Sequence, residues 1–301
     1  MVELQFEIVT ECKLKCIHCS SFNARIEYSR CYSDDDILYL VSLFETDIKV
    51  IFTGGEPLQY KNFFQLCEKI HFRFPLAKLT VYTSGTINNN DFISKSYAKK
   101  MKKAGIEECY ISIYSNSEKK HDRWTGICGS FNNALLSLQS LLCAGIDVRA
   151  HIVIGKTNSK EIEDIVEFCR NAGFLSCRLL KLAPVGNAIF NWEEIGTDNI
   201  DIKNIIKRIW SYYYKKDFYI SVAGFPDIMP CRDSVGSYGC QAGTRVLYID
   251  INGDIYPCAC CKGDKRNNLI CNIQDENAVA NYVKSIKLDA YMNDCINHTI
   301  I

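Results

Sequence analysis

Apolar and polar positions along the chain follow two rhythms that alternate over its first two-thirds. Short apolar runs at Leu4–Val9, Lys49–Phe52, Lys78–Tyr82, Cys109–Tyr114, Asp147–Ile154 and Ser176–Leu182 read as strands. Between them lie stretches with apolar residues at helical spacing. Ser33–Phe44 puts Ile37, Leu40, Val41 and Phe44 on one face, behind Ser33 as N-cap and with Asp36 in the first turn. Asn62–Phe74 and Asp91–Ala104 read as helices, the second ended by Gly105. Phe131–Ala144 carries Leu135, Leu138 and Leu142 before Gly145, and Ser159–Ala172 carries Ile162, Ile165, Val166 and Cys169 before Gly173. Such βα-type repeats with apolar strands predict an α/β fold built on a parallel sheet. Six repeats rather than eight predict a partial (β/α)6 TIM barrel, and a doubly wound sheet is the competing architecture.

After Leu182 the rhythm breaks. Ala183–Asn199 is irregular, Ile202–Tyr214 reads as one aromatic-rich helix, and from Gly224 onward Gly, Pro and Cys dominate. Val246–Tyr256 alternates on both sides of Asn252-Gly253, a hairpin signal because both turn positions favour positive φ. The predicted division is a barrel over residues 1–185 and a cysteine-rich module containing the β-hairpin over residues 186–301.

Composition changes this picture mainly through its 17 cysteines in 301 residues. Hydrophobic residues at 48% and charged residues at 23% fit a globular chain with a real core. Lys plus Arg equals Asp plus Glu, at 35 each, so the balance gives no reason to expect nucleic acid or a membrane surface as partner. The opening MVELQFEIVTECK has no signal-peptide pattern, and no apolar run reaches the ~18–20 residues of a membrane span. An odd cysteine count without a secretory signal predicts reduced thiols in a cytoplasmic protein, several of them ligating metal.

Two cysteine constellations stand out. Cys12, Cys16 and Cys19 have CxxxCxxC spacing just beyond the first strand, the end where barrel active sites collect. Three thiolates can hold three irons of a cubane and leave the fourth open, whereas zinc with His18 as fourth ligand is the competing use. Cys240 and Cys258 stand at the two ends of the predicted hairpin, so the turn at Gly253 brings both within reach of one metal. A zinc staple is the alternative there. Cys31, Cys67, Cys109, Cys128, Cys143, Cys169 and Cys177 sit on apolar faces or in loops, where packing explains most of them.

The first motif, followed by Gly54-Gly55-Glu56-Pro57 after the second strand, resembles the radical S-adenosylmethionine (SAM) superfamily. Thr83-Ser84-Gly85 resembles the family's Thr-Asn-Gly after strand three, and Ile111-Ser112-Ile113 its fourth strand. His121-Asp122-Arg123, Gly126 and Ser130-Phe131 resemble the segment that follows in peptide-modifying members. Leu182-Ala-Pro-Val-Gly186-Asn-Ala188 resembles the turn after strand six, with Asn187 in place of Arg. The resemblance implies one site-differentiated 4Fe–4S cluster on Cys12, Cys16 and Cys19, with SAM on the open iron. It implies that Gly54, Gly55, Glu56, Pro57, Thr83, Ser84 and Ser112 surround SAM. An electron donor such as flavodoxin or ferredoxin would then drive cleavage to a 5′-deoxyadenosyl radical that takes a hydrogen atom from substrate.

Cys240, Gly253 and Cys258 resemble the opening of SPASM and Twitch domains, which implies a second, auxiliary 4Fe–4S cluster. Cys295 is the candidate third ligand; Cys231, Cys261 and Cys271 compete for the fourth, with His298 an outsider. Cys258 and Cys261 form a CxxC that could also close the site. Sulfatase-maturing relatives carry an aspartate directly after the second hairpin cysteine, where this chain has Ala259. Instead Cys260 and Cys261 stand there as candidate hydrogen-atom donors, a role that a weak S–H bond suits in epimerases. The resemblance points to epimerisation or cross-linking of a ribosomally made peptide. A sugar or aminoglycoside substrate is the runner-up, and a non-catalytic metal-binding protein is the reading from another class. With the cysteine motif at residue 12, leader recognition is expected to fall to another protein or to the barrel's own surface.

Overall fold

The computed structural model describes the chain except residues 22–29, 46, 88–90, 198–200, 214–215, 217, 225–239 and 288–301. Cys231, Cys295 and His298 therefore lie outside the described residues. The strands are β1 (Val2–Val9), β2 (Ile48–Gly54), β3 (Lys78–Thr83), a short pair β4 (Thr86–Ile87) and β5 (Asp91–Phe92), β6 (Ile106–Ser112), β7 (Asp147–Ile154), β8 (Ser176–Lys181), β9 (Tyr219–Ala223), β10 (Val246–Ile249), β11 (Asp254–Tyr256) and β12 (Cys271–Asn272). The helices are α1 (Asp34–Ser42), α2 (Phe63–Arg73), α3 (Lys95–Lys103), α4 (Glu118–Thr125), α5 (Ser130–Cys143), α6 (Ile162–Ala172), the short α7 (Asn187–Phe190) and α8 (Trp192–Ile195), α9 (Ile202–Tyr213) and α10 (Glu276–Ser285).

The six predicted barrel strands are all present, and they follow one another in the order β1-β2-β3-β6-β7-β8, every pair parallel. A doubly wound sheet would reverse its order at a switch point, and this one does not. The sheet continues past both borders. β9 joins β8 in parallel, and β10 joins β1 in parallel with Leu4 opposite Leu247 and Phe6 opposite Ile249. β11 and β12 then add antiparallel.

Strands of a parallel sheet alternate when one of its faces is lined by polar groups. Leu4, Phe6, Ile8, Val50, Phe52, Leu79, Val81, Ile111, Val148, Ile152 and Leu179 pack in the main core. Glu3, Gln5, Glu7, Lys49, Thr80, Glu108, Arg149, His151 and Arg178 occupy the alternate positions of the same strands. One buried network at that inner face joins Lys49 Nζ to Glu108 Oε2 at 2.7 Å and Arg149 to Glu108 Oε1. Burial pushes the Glu108 carboxyl up, and the two cations more than offset this, leaving it below the usual carboxylate range.

Local signals account for most of the elements. Ser33 caps α1 in a capping box with Asp36. Three details differ from the sequence reading. Asp91 and Phe92 pair with Ile87 and Thr86 instead of opening a helix, and Ser94, which accepts from Tyr97 N, sets the start of α3. The α4 helix, the β9 and β12 strands and α10 carry signals too short or too polar for the periodicity search. The β10–β11 connection is not a two-residue turn. Gly253 N donates to Asp250 O, Asp250 Oδ1 accepts from Asn252 N and Asp254 N, and only Gly253 takes positive φ, at 84°. A buried aspartate thus satisfies two of the turn amides.

Candidate active site

The loop that follows β1 carries Cys12, Cys16 and Cys19 and is held almost entirely through its backbone. Lys15 N donates to Thr125 O at 2.8 Å and Ile17 N to Trp124 O at 3.0 Å, both at the end of α4. From the other side, Asn187 N donates to Cys19 O at 2.9 Å, and Asn187 Nδ2 to Cys16 O at 3.0 Å. Asn191 Nδ2 donates to Ile17 O at 3.0 Å. A Cβ on Gly186 would stand 2.4 Å from Cys19 O, so only glycine allows this approach. Beneath the loop Tyr114, Trp124, Leu182, Ala188 and Ile195 form a small apolar cluster of their own. The rings of Tyr114 and Trp124 stack at 5.3 Å, with His18 edge-on to Tyr114.

These contacts assign roles to motifs that sequence left unexplained. Asp122 caps α5, accepting from Gly129 N at 2.6 Å, Ser130 Oγ at 2.8 Å and Phe131 N at 3.0 Å. His121 accepts from Tyr114 N, and burial pushes its imidazole down to about 4, so it is neutral at pH 7. The His-Asp-Arg segment thus builds the support under the cysteine loop. Asn187, in the place of an arginine, fastens the loop by two hydrogen bonds.

The Gly54–Pro57 segment packs directly against the chain leading to Cys12. Gly55 N donates to Val9 O at 2.8 Å and Glu56 N to Glu11 O at 2.7 Å. Gly54 has φ 123°, and a Cβ on Gly55 would lie 2.2 Å from Glu11 O, so both positions exclude side chains. The Glu56 side chain turns inward and is buried. Its carboxylate accepts from Thr83 Oγ1 at 2.7 Å, Ser84 Oγ at 2.8 Å and Ser84 N at 3.0 Å. Burial raises its pKa, partly countered by these donors. Pro57 begins a single turn of 3₁₀ helix, Pro57–Gln59. Ser112 ends β6 opposite His151 and is half-buried. The predicted cofactor-binding residues thus fall at the carboxyl ends of neighbouring strands β2, β3 and β6, around one mouth of the sheet.

Cys16 is buried, while Cys12 and Cys19 are half-buried on the same loop. Among the described residues, no group of three or more His, Cys, Asp or Glu side chains converges as around a single ion. A cubane asks for something else, since its cysteines bind different irons. Three thiols on one clamped loop, beside a buried carboxylate raised by desolvation that a cation would stabilise, fit an iron–sulfur cluster with an amino-group-bearing ligand.

Beside the β10–β11 hairpin, next to β1, Gly243 N donates to Pro257 O at 3.1 Å, which joins the segment after Cys240 to the residue before Cys258. Cys258 Sγ lies 3.6 Å from Cys261 Sγ, and both pack with Tyr248 and Tyr256. Hydrogen bonds from the Cys260 and Cys261 side chains push the Cys258 thiol down to about 3. Cys261 is fully buried and Cys260 half-buried. Cys271 pairs with Ile255 and packs against the main core, on the other face of the hairpin from Cys258 and Cys261. Burial pushes its thiol up to about 11. Cys67, Cys109, Cys169 and Cys177 are buried in the core as packing residues.

Sequence reasoning missed Glu7, which is fully buried at the end of β1. It accepts from Ser21 Oγ at 2.5 Å, Tyr248 OH at 2.6 Å and Ile251 N at 3.0 Å, and pairs with Lys262 Nζ at 2.5 Å. The available signal was a lone charge in the apolar run LQFEIV, which has to be paired if that strand is buried.

The family model described as the Radical SAM superfamily matches residues 6–169. The AdoMet-dependent heme synthase of Nitratidesulfovibrio vulgaris is 24% identical over 277 residues, covering 85% of this chain and 72% of that protein. The probable GTP 3',8-cyclase of Saccharolobus islandicus is 23% identical over 266 residues, covering 85% and 82%. Among solved structures, Streptococcus suis SuiB bound to precursor peptide SuiA has TM-score 0.70 at 18% identity, over 94% of this chain. This chain spans 65% of that one. Native anSMEcpe with bound AdoMet has TM-score 0.68 at 17% identity, over 100% of this chain and 83% of that one. These two establish a common fold. The superfamily uses a 4Fe–4S cluster and SAM. Among the described residues, no helix is long and apolar enough to cross a membrane.

Proposed function

Because the chain belongs to the radical SAM superfamily, we propose that it modifies a ribosomally synthesised peptide by radical chemistry, with epimerisation as the favoured outcome. Cys12, Cys16 and Cys19 hold the SAM-binding cluster, and Gly54–Pro57 with Thr83, Ser84 and Ser112 receive SAM. Cys240, Cys258 and Cys261 contribute to an auxiliary 4Fe–4S cluster, and Cys260 is the hydrogen-atom donor. When bound, the first cluster and SAM supply a 5′-deoxyadenosyl radical able to remove a hydrogen atom. The chain's own residues do the rest. Glu56 is aimed by Thr83 and Ser84 to hold an ammonium group, and Gly54 and Gly55 bring that carboxylate's loop against the cysteine loop. A substrate radical would take the hydrogen atom of the Cys260 thiol on its opposite face. One electron from a flavodoxin or ferredoxin and one proton then restore that thiol.

The observation that carries this reading is the division of labour between two adjacent thiols. Cys261 is fully buried with its sulfur 3.6 Å from that of Cys258, while Cys260 stays half-buried. The sheltered Cys261, in contact with a half-buried Cys258, suits a ligand role, and the half-buried Cys260 beside it suits delivery. Structures that share the fold were solved with precursor peptide SuiA and with AdoMet, which supports a peptide as substrate. The names heme synthase and GTP cyclase among the sequence relatives favour a second reading, a small-molecule substrate.

The test is SAM cleavage by anaerobically reconstituted protein in D2O with a synthetic peptide library. Peptide-dependent 5′-deoxyadenosine with one deuterium at an inverted α-carbon is the expected outcome for the wild type, and 5′-deoxyadenosine without inversion for Cys260→Ala and Cys260→Ser. Inversion by Cys260→Ala at the wild-type rate removes the donor assignment. Stimulation only by tetrapyrrole, nucleotide or sugar probes establishes the second reading instead.

A further inference from the structure

The Glu7 cluster lies outside every motif that the SAM chemistry uses, yet it touches both cysteine constellations. Glu7 stands on β1, five residues before Cys12, and its side chain is fully buried. Ser21, which donates to Glu7 Oε1, follows Cys19 by two residues. Lys262, which pairs with the same oxygen, directly follows Cys261, and its side chain is 11% exposed. Lys262 Nζ also donates to Ser21 Oγ at 3.1 Å, closing a triangle among the three side chains. Tyr248 OH on β10 and Ile251 N in the hairpin turn complete the shell, and Tyr32 OH donates to Glu7 O at 2.7 Å. Among the described side chains, Lys262 is the one cation bonded to this carboxylate.

We propose that Glu7 and Lys262 are positioning residues that lock the Cys258–Cys261 turn to the cysteine loop after β1, so that the two cysteine sites keep a fixed separation and orientation. This deepens the proposed function and rests on its auxiliary cluster. The physical case has two parts. The turn's own backbone bonds are local: Cys261 N donates to Cys258 O at 3.1 Å, Lys262 N to Ala259 O at 3.4 Å and Asp264 N to Cys261 O at 3.3 Å, and its sheet contact ends at Tyr256. A buried carboxylate is costly unless paired, so the pair forms only when the turn is docked with Lys262 facing Glu7. Docking is thereby tied to the strand that leads into the first cluster's ligands, and Ser21 ties it to that loop's far end. A hydrogen atom delivered by a thiol on the turn depends steeply on distance, which makes such a lock useful for two-sided radical chemistry.

The experiment compares reconstituted wild type with Lys262→Met, Glu7→Gln and the double variant Glu7→Gln/Lys262→Met. Two readouts are followed: amide hydrogen exchange, and the electron paramagnetic resonance spectrum of the reduced clusters. The expected result for Lys262→Met is at least tenfold faster exchange at Ile251 and over residues 258–264, with exchange in β2 and β3 unchanged. The auxiliary-cluster signal should shift or disappear while the SAM-cluster signal stays. The double variant, which leaves no unpaired buried charge, should recover at least part of the protection. Wild-type exchange in Lys262→Met, or a double variant no better protected than the worse single one, overturns the lock. A wild-type spectrum with one cluster signal overturns the auxiliary cluster of the proposed function but not the lock, which exchange decides alone.

Discussion

The two cysteine sites, one after β1 and one after the β10–β11 hairpin that adjoins it, are built by different means. The loop with Cys12, Cys16 and Cys19 is clamped from three directions by backbone hydrogen bonds, from α4, from the Gly186–Asn191 segment and from Gly55 and Glu56. Gly55 and Gly186 approach its backbone too closely for a Cβ, and the Asn187 and Asn191 side-chain amides bond to its carbonyls. The turn with Cys258, Cys260 and Cys261 follows a short hairpin, packs on Tyr248 and Tyr256, and is joined to β1 by a buried ion pair between Lys262 and Glu7. A backbone clamp is insensitive to pH and tolerates surface change, but it fails at a single added methyl. An ion-paired dock tolerates steric change, but it fails when either charge is removed. The difference is that the first loop is set mainly by main-chain contacts and the second turn by a long-range ion pair between side chains.

The sharpest way to break this comparison is to remove one thiol from each site. Cys16→Ala should lose about four irons per chain and all SAM cleavage. Cys258→Ala should lose the other iron while SAM cleavage continues without product. Iron analysis and 5′-deoxyadenosine assay check both, and loss of SAM cleavage in both variants would show that the sites are not separable. Next in size is Glu56→Gln, which keeps the shape and removes the charge that faces an ammonium. The affinity for SAM should fall by roughly 10- to 100-fold, the size of a charge-assisted hydrogen bond, as read by equilibrium dialysis. Unchanged affinity would move the ammonium site elsewhere.

Gly55→Ala tests the backbone clamp itself. Its Cβ would lie 2.2 Å from Glu11 O, backbone that cannot step aside cheaply. A cost of about 1–3 kcal/mol in stability is expected, with slower SAM cleavage, whereas Cys271→Ala, on the other face of the hairpin, should leave cleavage intact. The smallest effect concerns pH. The folded-state pKa values of Glu7 and Glu108 are lowered. The stability they contribute is therefore present above the unfolded carboxylate value of about 4.3 and is lost as pH falls through the folded values. Melting temperature should hold from pH 7 to about 5 and then drop, less steeply in Glu7→Gln. An identical drop in that variant would leave Glu108 and other carboxylates as the cause.

Some of this was open to reading from the chain alone. Apolar periodicity located six barrel strands and most of the helices, because burial on the helix-facing side of each strand is a local property of alternate residues. The CxxxCxxC spacing and Gly-Gly-Glu-Pro were legible because each is a short-range pattern: a loop after one strand and a glycine turn after the next. Asp91-Phe92 misled, since their pairing with Thr86-Ile87 competes with helix and wins by a contact that periodicity cannot count.

Sequence by itself thus determined the repeat, the parallel sheet, the place of the first cysteine motif after β1 and the presence of a hairpin, all consequences of spacing along the chain. Only tertiary structure decided that the hairpin joins β1 as a further parallel neighbour, that Asp122 and Asn187 serve the cysteine loop, that Cys271 faces away from Cys258 and Cys261, and that Glu7 meets Lys262 across 255 positions. The physical reason is common to all four. Each depends on which face of an element meets which partner, and a buried charge or cap finds its partner through packing rather than through proximity in sequence.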